Sequence, residues 1–278
     1  MAVFRELENE RLAKGDNHKG KAEQVQTPTV SETPLQTIDF TRSADVDLGG
    51  GEAIELVWLP PGQFMMGSPC SEDMHDVMET QHKVKLTKSF WVGKYEVTQA
   101  QWEALMGSNP SDEKGLKRPV TNVSWDDCQE FVRKLTERGV GQFRLPTEAE
   151  WEYACRAGTT TPFYVGNTIS SHDANYDGRS TCAVGFYRPN AWGLYNMHGN
   201  VTEWCQDWFG PYAMHGDWFG LYRPDVVEDP KGPDLSTSRV ARGGSWVVGP
   251  GLCRSATRYE FAPESRHSFL GFRVVRDD

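Results

Sequence analysis

The sequence predicts an α+β chain with little regular secondary structure: a few short helices, short strands and long ordered loops. Three observations carry this expectation. Apolar runs such as "AIELVWL" (53–59) have strand character. Three Ser/Thr caps each stand directly before a stretch of helical character. Beyond Gly158 helical periodicity fades, and Gly, Pro, Asn, Trp and Tyr dominate to the end.

Taken in order, residues 1–45 are rich in Lys, Glu, Gln, Ser and Thr and poor in large apolar side chains, which reads as a disordered tail or linker. The folded domain is expected over 46–278. After the strand at 53–59, Pro60-Pro61-Gly62 turns the chain into a second strand, "QFMMG". Thr98 precedes "QAQWEALMG" with Gln101 three residues on, a capping box. Ser124 precedes "WDDCQEFVRKL", where Cys128, Phe131, Val132 and Leu135 recur at helical spacing. Thr147 precedes "EAEWEYACRAG", with Glu150 completing a box and Gly158 as the stop. The long loops that follow need internal tethers, because exposed irregular backbone contributes little core. One local repeat occurs: "MHG" at 197–199 and 214–216, "DWFG" at 207–210 and 217–220. It reads as a duplication lengthening a surface loop. The alternative is an aromatic binding surface made by Trp208, Phe209, Trp218 and Phe219.

Composition bounds the function. In 278 residues, 38% are hydrophobic and ten are tryptophan, enough for a sizeable core. The net charge of −10 argues against a nucleic-acid groove or an anionic membrane surface. No apolar run approaches the ~20 residues of a membrane-spanning helix, so no membrane span is expected. "MAVFRELENERLAKG" has no apolar signal core. The chain as given therefore reads as cytoplasmic, or as secreted or surface-attached if a leader was removed. The cysteines, at 70, 128, 155, 182, 205 and 253, form no CxxC pair.

"FMMGSP", "YEVTQAQWEALMG", "PVTNVSWDDCQEF", "FRLPTEAEWEYACRAG", "NAWGLYNMHGNVTEWCQDW", "RGGSW" and "GFRVV" occur in that order. In this the chain, from about Asp47 onward, resembles the formylglycine-generating enzymes, or sulfatase-modifying factors. The resemblance implies a C-type-lectin-like fold with a small antiparallel sheet and loops pinned by Ca²⁺. The implied ligands are Asn196 and Glu203 through side chains, and Gly199 and Val201 through carbonyls, an oxygen set suited to a hard cation. A second site of the family begins at Asn175 and Tyr176, but the loop after them is shortened here.

The family's activity uses two cysteine thiolates on Cu(I), three and eight residues after the Ser of the Gly-Gly-Ser turn. Counted from Ser245, those positions hold Val248 and Cys253. Valine binds no metal, so copper is not expected, and Cys253 stands as a catalytic candidate without its second thiol. The resemblance also offers Cys253 a structural role, paired with Cys155. A further disulfide of the family falls at Val132 and Val274, where an apolar contact is expected instead.

Two function classes follow. The first is a module binding a protein or small-molecule ligand through the loops after Trp246, with Val247, Val248, Leu252, Thr257, Tyr259, Phe261, His267 and Phe269 as contacts. Variable proteins of diversity-generating retroelements share this frame and place hypervariable residues between "RGGSW" and "GFR". These eight residues are all reachable from an asparagine codon by changing adenines, whereas Glu260 is not; ordinary drift in a binding loop is the plainer account. The second class is a metal-dependent oxidase generating formylglycine or making a related modification. A structural partner in a larger complex is a third option.

Overall fold

The computed structural model describes residues 42–211 and 226–278. The tail drawn at 1–45 therefore lies almost wholly outside the described residues, as do Trp218 and Phe219 of the repeat. The first strand, β1 (Ser43–Gly49), begins three residues ahead of the boundary drawn at 46 and pairs antiparallel with β2 (Glu52–Leu59). β3 (Gly62–Met66) follows the Pro-Pro-Gly turn and pairs with β4 (His82–Leu86). After β5 (Phe90–Gly93) come the three helices, α1 (Gln99–Met106), α2 (Trp125–Glu137) and α3 (Glu148–Arg156), with β6 (Phe143–Arg144) before the last. The C-terminal part holds β7 (Thr202–Trp208), β8 (Val227–Glu228), β9 (Arg239–Arg242), β10 (Arg258–Phe261), β11 (Leu270–Gly271) and β12 (Val275–Asp277).

All three helices start from closed capping boxes, Thr98 with Gln101, Ser124 with Asp127 and Thr147 with Glu150. Each box satisfies two of the backbone N–H groups a helix start leaves open. α2 buries Cys128, Phe131, Val132 and Leu135, the face its spacing predicts. Phe131 stacks on Trp102 at 5.4 Å and meets Phe272 edge-on at 5.3 Å. α3 ends in Ala157, held in the left-handed region at φ 46°, one residue before the expected stop.

Instead of one small antiparallel sheet there are three. Their orders are β1-β2-β5-β12-β6, β10-β9-β7-β11 and β3-β4-β8. Two pairings are parallel, β7 with β11 and β4 with β8. These short partners are captured by long loops, which allow either direction. Val132 and Val274 lie in one apolar cluster with Trp204 and Phe272. No helix among the described residues is long and apolar enough to cross a membrane.

Candidate functional site

The Arg-Gly-Gly-Ser-Trp turn closes β9. Gly243 and Gly244 both take left-handed backbone, φ 98° and 71°. A Cβ on Gly244 would stand 2.6 Å from the Cys253 sulfur, and one on Gly243 would stand 3.0 Å from the Trp151 ring. Only glycine turns the chain this tightly while letting Cys253 pack behind it. A second turn, 196–201, is laced to the first. Gly199 N–H donates to the Gly243 carbonyl at 2.8 Å, and Trp246 N–H donates to the Asn200 carbonyl at 3.0 Å. From the other side Asp177 N–H and Gly178 N–H donate to the carbonyls of Val248 (3.0 Å) and Trp246 (2.7 Å). Val248 is thus tied through its backbone and offers only an aliphatic side chain.

Cys253 ends a single 3₁₀ turn, Pro250–Cys253, and is fully buried. Its thiol points at the Gly249 carbonyl, 3.8 Å away. Burial pushes that thiol up to about 12. Its carbonyl accepts from His198 Nδ1 at 2.8 Å. The tautomer follows from the partners: His198 Nε2 accepts from the Tyr164 N–H at 3.0 Å, so Nδ1 carries the proton. Burial lowers this imidazole to about 3, so it stays neutral and acts as a staple between two loops.

Cys155 also borders His198, with Sγ 3.9 Å from Nδ1. Its thiol faces the Ser255 hydroxyl and the Met197 carbonyl, each at 3.6 Å. The two cysteines implied as a pair therefore flank one histidine as free thiols, and the side chain that meets Cys155 is Ser255, two residues beyond Cys253.

Of the four residues implied for Ca²⁺, Asn196 is buried in left-handed backbone (φ 56°), and neither Oδ1 nor Nδ2 has a hydrogen-bond partner. Gly199 packs its backbone against Asn175, and Asn200 N–H donates to the Asn175 carbonyl at 2.8 Å. Val201 is buried. Glu203, also buried, accepts from Arg273 through both oxygens at 2.6 Å and from the Trp151 indole at 2.8 Å. Beside them lies Glu96, which the motifs do not mark as a ligand. Its Oε1 accepts from Asn200 Nδ2 at 2.9 Å, and its buried Oε2 has no partner. Burial, then the nearby Glu203 carboxylate, pushes Glu96 up to about 8. Orphaned oxygens on Asn196 and Glu96 are what a bound cation would satisfy.

The residues after Trp246 divide by exposure. Val247 and Leu252 face solvent, Val248 is half-buried, and Tyr259 donates its hydroxyl to the Leu252 carbonyl at 2.7 Å. Tyr259 and Phe261 lie parallel at 6.5 Å on β10, an outer strand of its sheet. Phe261 meets His267 at 5.4 Å and Phe269 at 6.1 Å, and His267 stacks on Phe269 at 4.9 Å. These four half-buried rings contact one another in turn, and Tyr259, Phe261 and Phe269 also pack against the apolar core while staying partly exposed. Thr257 is the correction: it is only 4% exposed, and its carbonyl is bound by the buried Arg242 guanidinium, so its side chain is not displayed. In the repeat segment, Trp208 covers one face of the Arg239 guanidinium at 3.4 Å and Trp125 the other at 3.8 Å.

Arg254 is a further residue the motifs left unmarked. Its guanidinium binds Glu72 (2.7 Å), Glu79 (2.8 and 3.0 Å) and the Met74 carbonyl (2.6 Å). A buried arginine needs such partners, but their distance along the chain hides them from local reading.

The fold superposes on those of solved structures. Treponema denticola variable protein 1 superposes with a TM-score of 0.75 at 28% identity, covering 88% of this chain and all of that one. PvdO from Pseudomonas aeruginosa gives a TM-score of 0.70 at 28% identity, over 81% of this chain and 95% of that one. A formylglycine-generating enzyme of Thermomonospora curvata is 35% identical over 208 residues, which cover 68% of this chain and 64% of the relative. The chain thus spans just under two thirds of that enzyme's length. Residues 49–278 match the sulfatase-modifying factor enzyme 1-like domain. The chain belongs to the sulfatase-modifying factor family, as its match over 49–278 shows.

Proposed function

We propose that this member of the family is a binding module, with the C-type-lectin-like frame kept and the residues after Trp246 displayed to a protein or small-molecule ligand. The aromatic face of Tyr259, Phe261, His267 and Phe269 is the observation that carries the reading. Half-buried rings on an outer strand bury large area on a partner at low entropic cost. The position that supplies the first copper thiol in the family is Val248, which has no lone pair. The remaining thiol, Cys253, is buried and protonated at neutral pH. A two-sulfur Cu(I) site does not fit these side chains. The test is peptide mass: a sulfatase-motif cysteine peptide incubated with the protein, Cu(I) and oxygen should keep its mass. Conversion to the aldehyde would move the reading to an oxidase.

Ca²⁺ fits better, in a structural role. Asn196 Oδ1 and the Gly199 and Val201 carbonyls would hold it, with Glu203 shared with Arg273 and Glu96 Oε2 as an adjacent oxygen that the cation itself would favour in the ionised form. Supplied there, the ion would tie the turn at 196–201 and satisfy the orphaned side chains. Chelation should lower the melting temperature of protein shown to contain calcium, since an ion bound only by the folded state stabilises it by mass action. Unchanged melting would remove the site. The likeness to Treponema denticola variable protein 1 supports a retroelement-diversified display of residues 247–269. Comparison of the gene among cells of one lineage would then show substitutions confined to that segment.

A further inference from the structure

Of nine large hydrophobics exposed among the described residues, four fall on two loops: Met74 (59%), Val77 (78%), Val247 (42%) and Leu252 (37%). Arg254 fastens these loops together. Besides its bonds to Glu72, Glu79 and the Met74 carbonyl, its Nε donates to the Gly251 carbonyl at 2.9 Å. Met74 sits in left-handed backbone, φ 61°, which a long side chain rarely adopts without outside constraint. Its sulfur packs so closely on Gly251 that a Cβ there would stand 2.2 Å away. The fold thus fixes Met74 beside Leu252 while leaving most of it in water, an arrangement that marks interaction surfaces.

The charge around this rim is predominantly negative. Arg254 pairs with both Glu72 and Glu79, one positive charge against two negative ones. Asp73, Asp76 and Asp177 make no ion pair among the described residues, and Asp177 stands 3.8 Å from where a Gly249 Cβ would be. Arg179, two residues on, forms no ion pair with it. An aliphatic floor edged by carboxylates that make no ion pair, Asp76 among them although it also accepts the Met78 N–H at 2.8 Å, is complementary to a segment that is both aliphatic and basic.

We propose that the 69–79 and 247–254 loops form one docking surface for a basic, aliphatic segment of a partner protein. Its apolar side chains would rest on Met74 and Leu252 and its Lys or Arg side chains against Asp73, Asp76 and Asp177. This rests on the binding-module reading and adds a second wall that the segment after Trp246 does not contain.

The probe is a fluorescein-labelled nonapeptide of three Leu-Lys-Ser repeats, with Leu-Glu-Ser and Ser-Lys-Ser repeats as comparisons, titrated with the full chain and read by anisotropy. The Leu-Lys-Ser peptide should bind about tenfold or more tightly than either comparison. Met74→Ser and Leu252→Ser should each weaken it by about tenfold at unchanged melting temperature, and Val140→Ser, at an exposed aliphatic elsewhere, should not. Equal binding of the acidic peptide, no binding of any, or indifference to Met74→Ser overturns the proposal. Binding that depends on Phe261 or His267 but not Met74 sinks the second wall and leaves the binding module intact. Conversion of the cysteine peptide by the same preparation sinks the module itself. A dimer in sedimentation that Met74→Ser dissociates assigns the surface to a second copy of the chain and also overturns the proposal.

Discussion

Ser255→Cys should create a disulfide to Cys155. Cys155 lies on the last turn of α3, fully buried, with its sulfur 3.6 Å from the Ser255 hydroxyl. Ser255 is held in turn by its N–H, which donates to the Pro162 carbonyl at 2.7 Å. The two positions are 100 residues apart. Closing a loop of that length removes about 4.7 kcal/mol of chain entropy from the unfolded state, and native-state strain lowers the yield, so about 2–4 kcal/mol is expected. At roughly 2–4 °C per kcal/mol for a domain of this size, the oxidised variant should melt about 5–15 °C above its reduced form. Calorimetry with and without reductant gives the shift, and alkylation followed by peptide mapping gives the connectivity. The wild type under the same oxidant is the control. A Cys155–Cys253 bridge there would restore the pairing implied by family resemblance and refute the placement of Ser255. So would a variant in which Cys155 stays open to alkylation after unfolding.

Two further outcomes follow from the same geometry. Gly244→Ala should cost about 2–4 kcal/mol in a urea titration, because it combines a disfavoured left-handed residue with a methyl group forced onto the Cys253 sulfur; a cost below about 0.5 kcal/mol would mean the turn is not so constrained. Asp207 carries a pH dependence. Burial, then the nearby Glu148 and Glu150 carboxylates, raise it to about 8, with Arg258 opposing. A carboxyl raised in the folded state binds its proton more tightly there, so its contribution to stability is full below about pH 4 and is lost as pH climbs through 8. Asp207→Asn should therefore flatten the loss of stability between pH 5 and 8, and equal slopes for variant and wild type would count against it.

The helices were legible because their information is local. A cap and its partner lie three residues apart; the boxes at Thr98 and Thr147 closed as spaced, and Ser124 added one with Asp127 that the sequence did not mark. The two-residue strands were not legible. β11 is a strand only because Leu270 and Gly271 lie beside Thr202 and Glu203. The surroundings of Cys253 were hard to read for a related reason. A shortened loop shifts the match by a few residues, and only the packed structure shows that Ser255 meets Cys155. Thr257 was credited with display because codon chemistry says nothing of burial. Glu96 has the opposite history: a glutamate two residues before a helix cap looks solvated until folding places it against Asn200.

The expectation that long loops need tethers has a specific form here, and it bears on function. Arg273 joins Glu203 to the carbonyls of Gly93 and Tyr195. Arg258 joins Glu148 to the carbonyls of Met78 and Gly210. Arg242 joins Glu152 to the carbonyls of Ala256 and Thr257. Each arginine gathers a carboxylate and backbone carbonyls from distant segments, work that regular strands would do in a larger sheet. Removing one partner of such a buried pair typically costs about 3–5 kcal/mol, so these positions resist change. The four arginines, counting Arg254, leave the side chains of Val247, Leu252, Phe261, His267 and Phe269 out of the tethering. The segment after Trp246 thus separates into anchors at Arg254 and Arg258 and displayed side chains between and beyond them. Exchange at exposed Val247 and Leu252 should therefore cost less stability than exchange at Phe261 or Phe269, which also pack against the core, and urea titration of alanine variants would measure the difference.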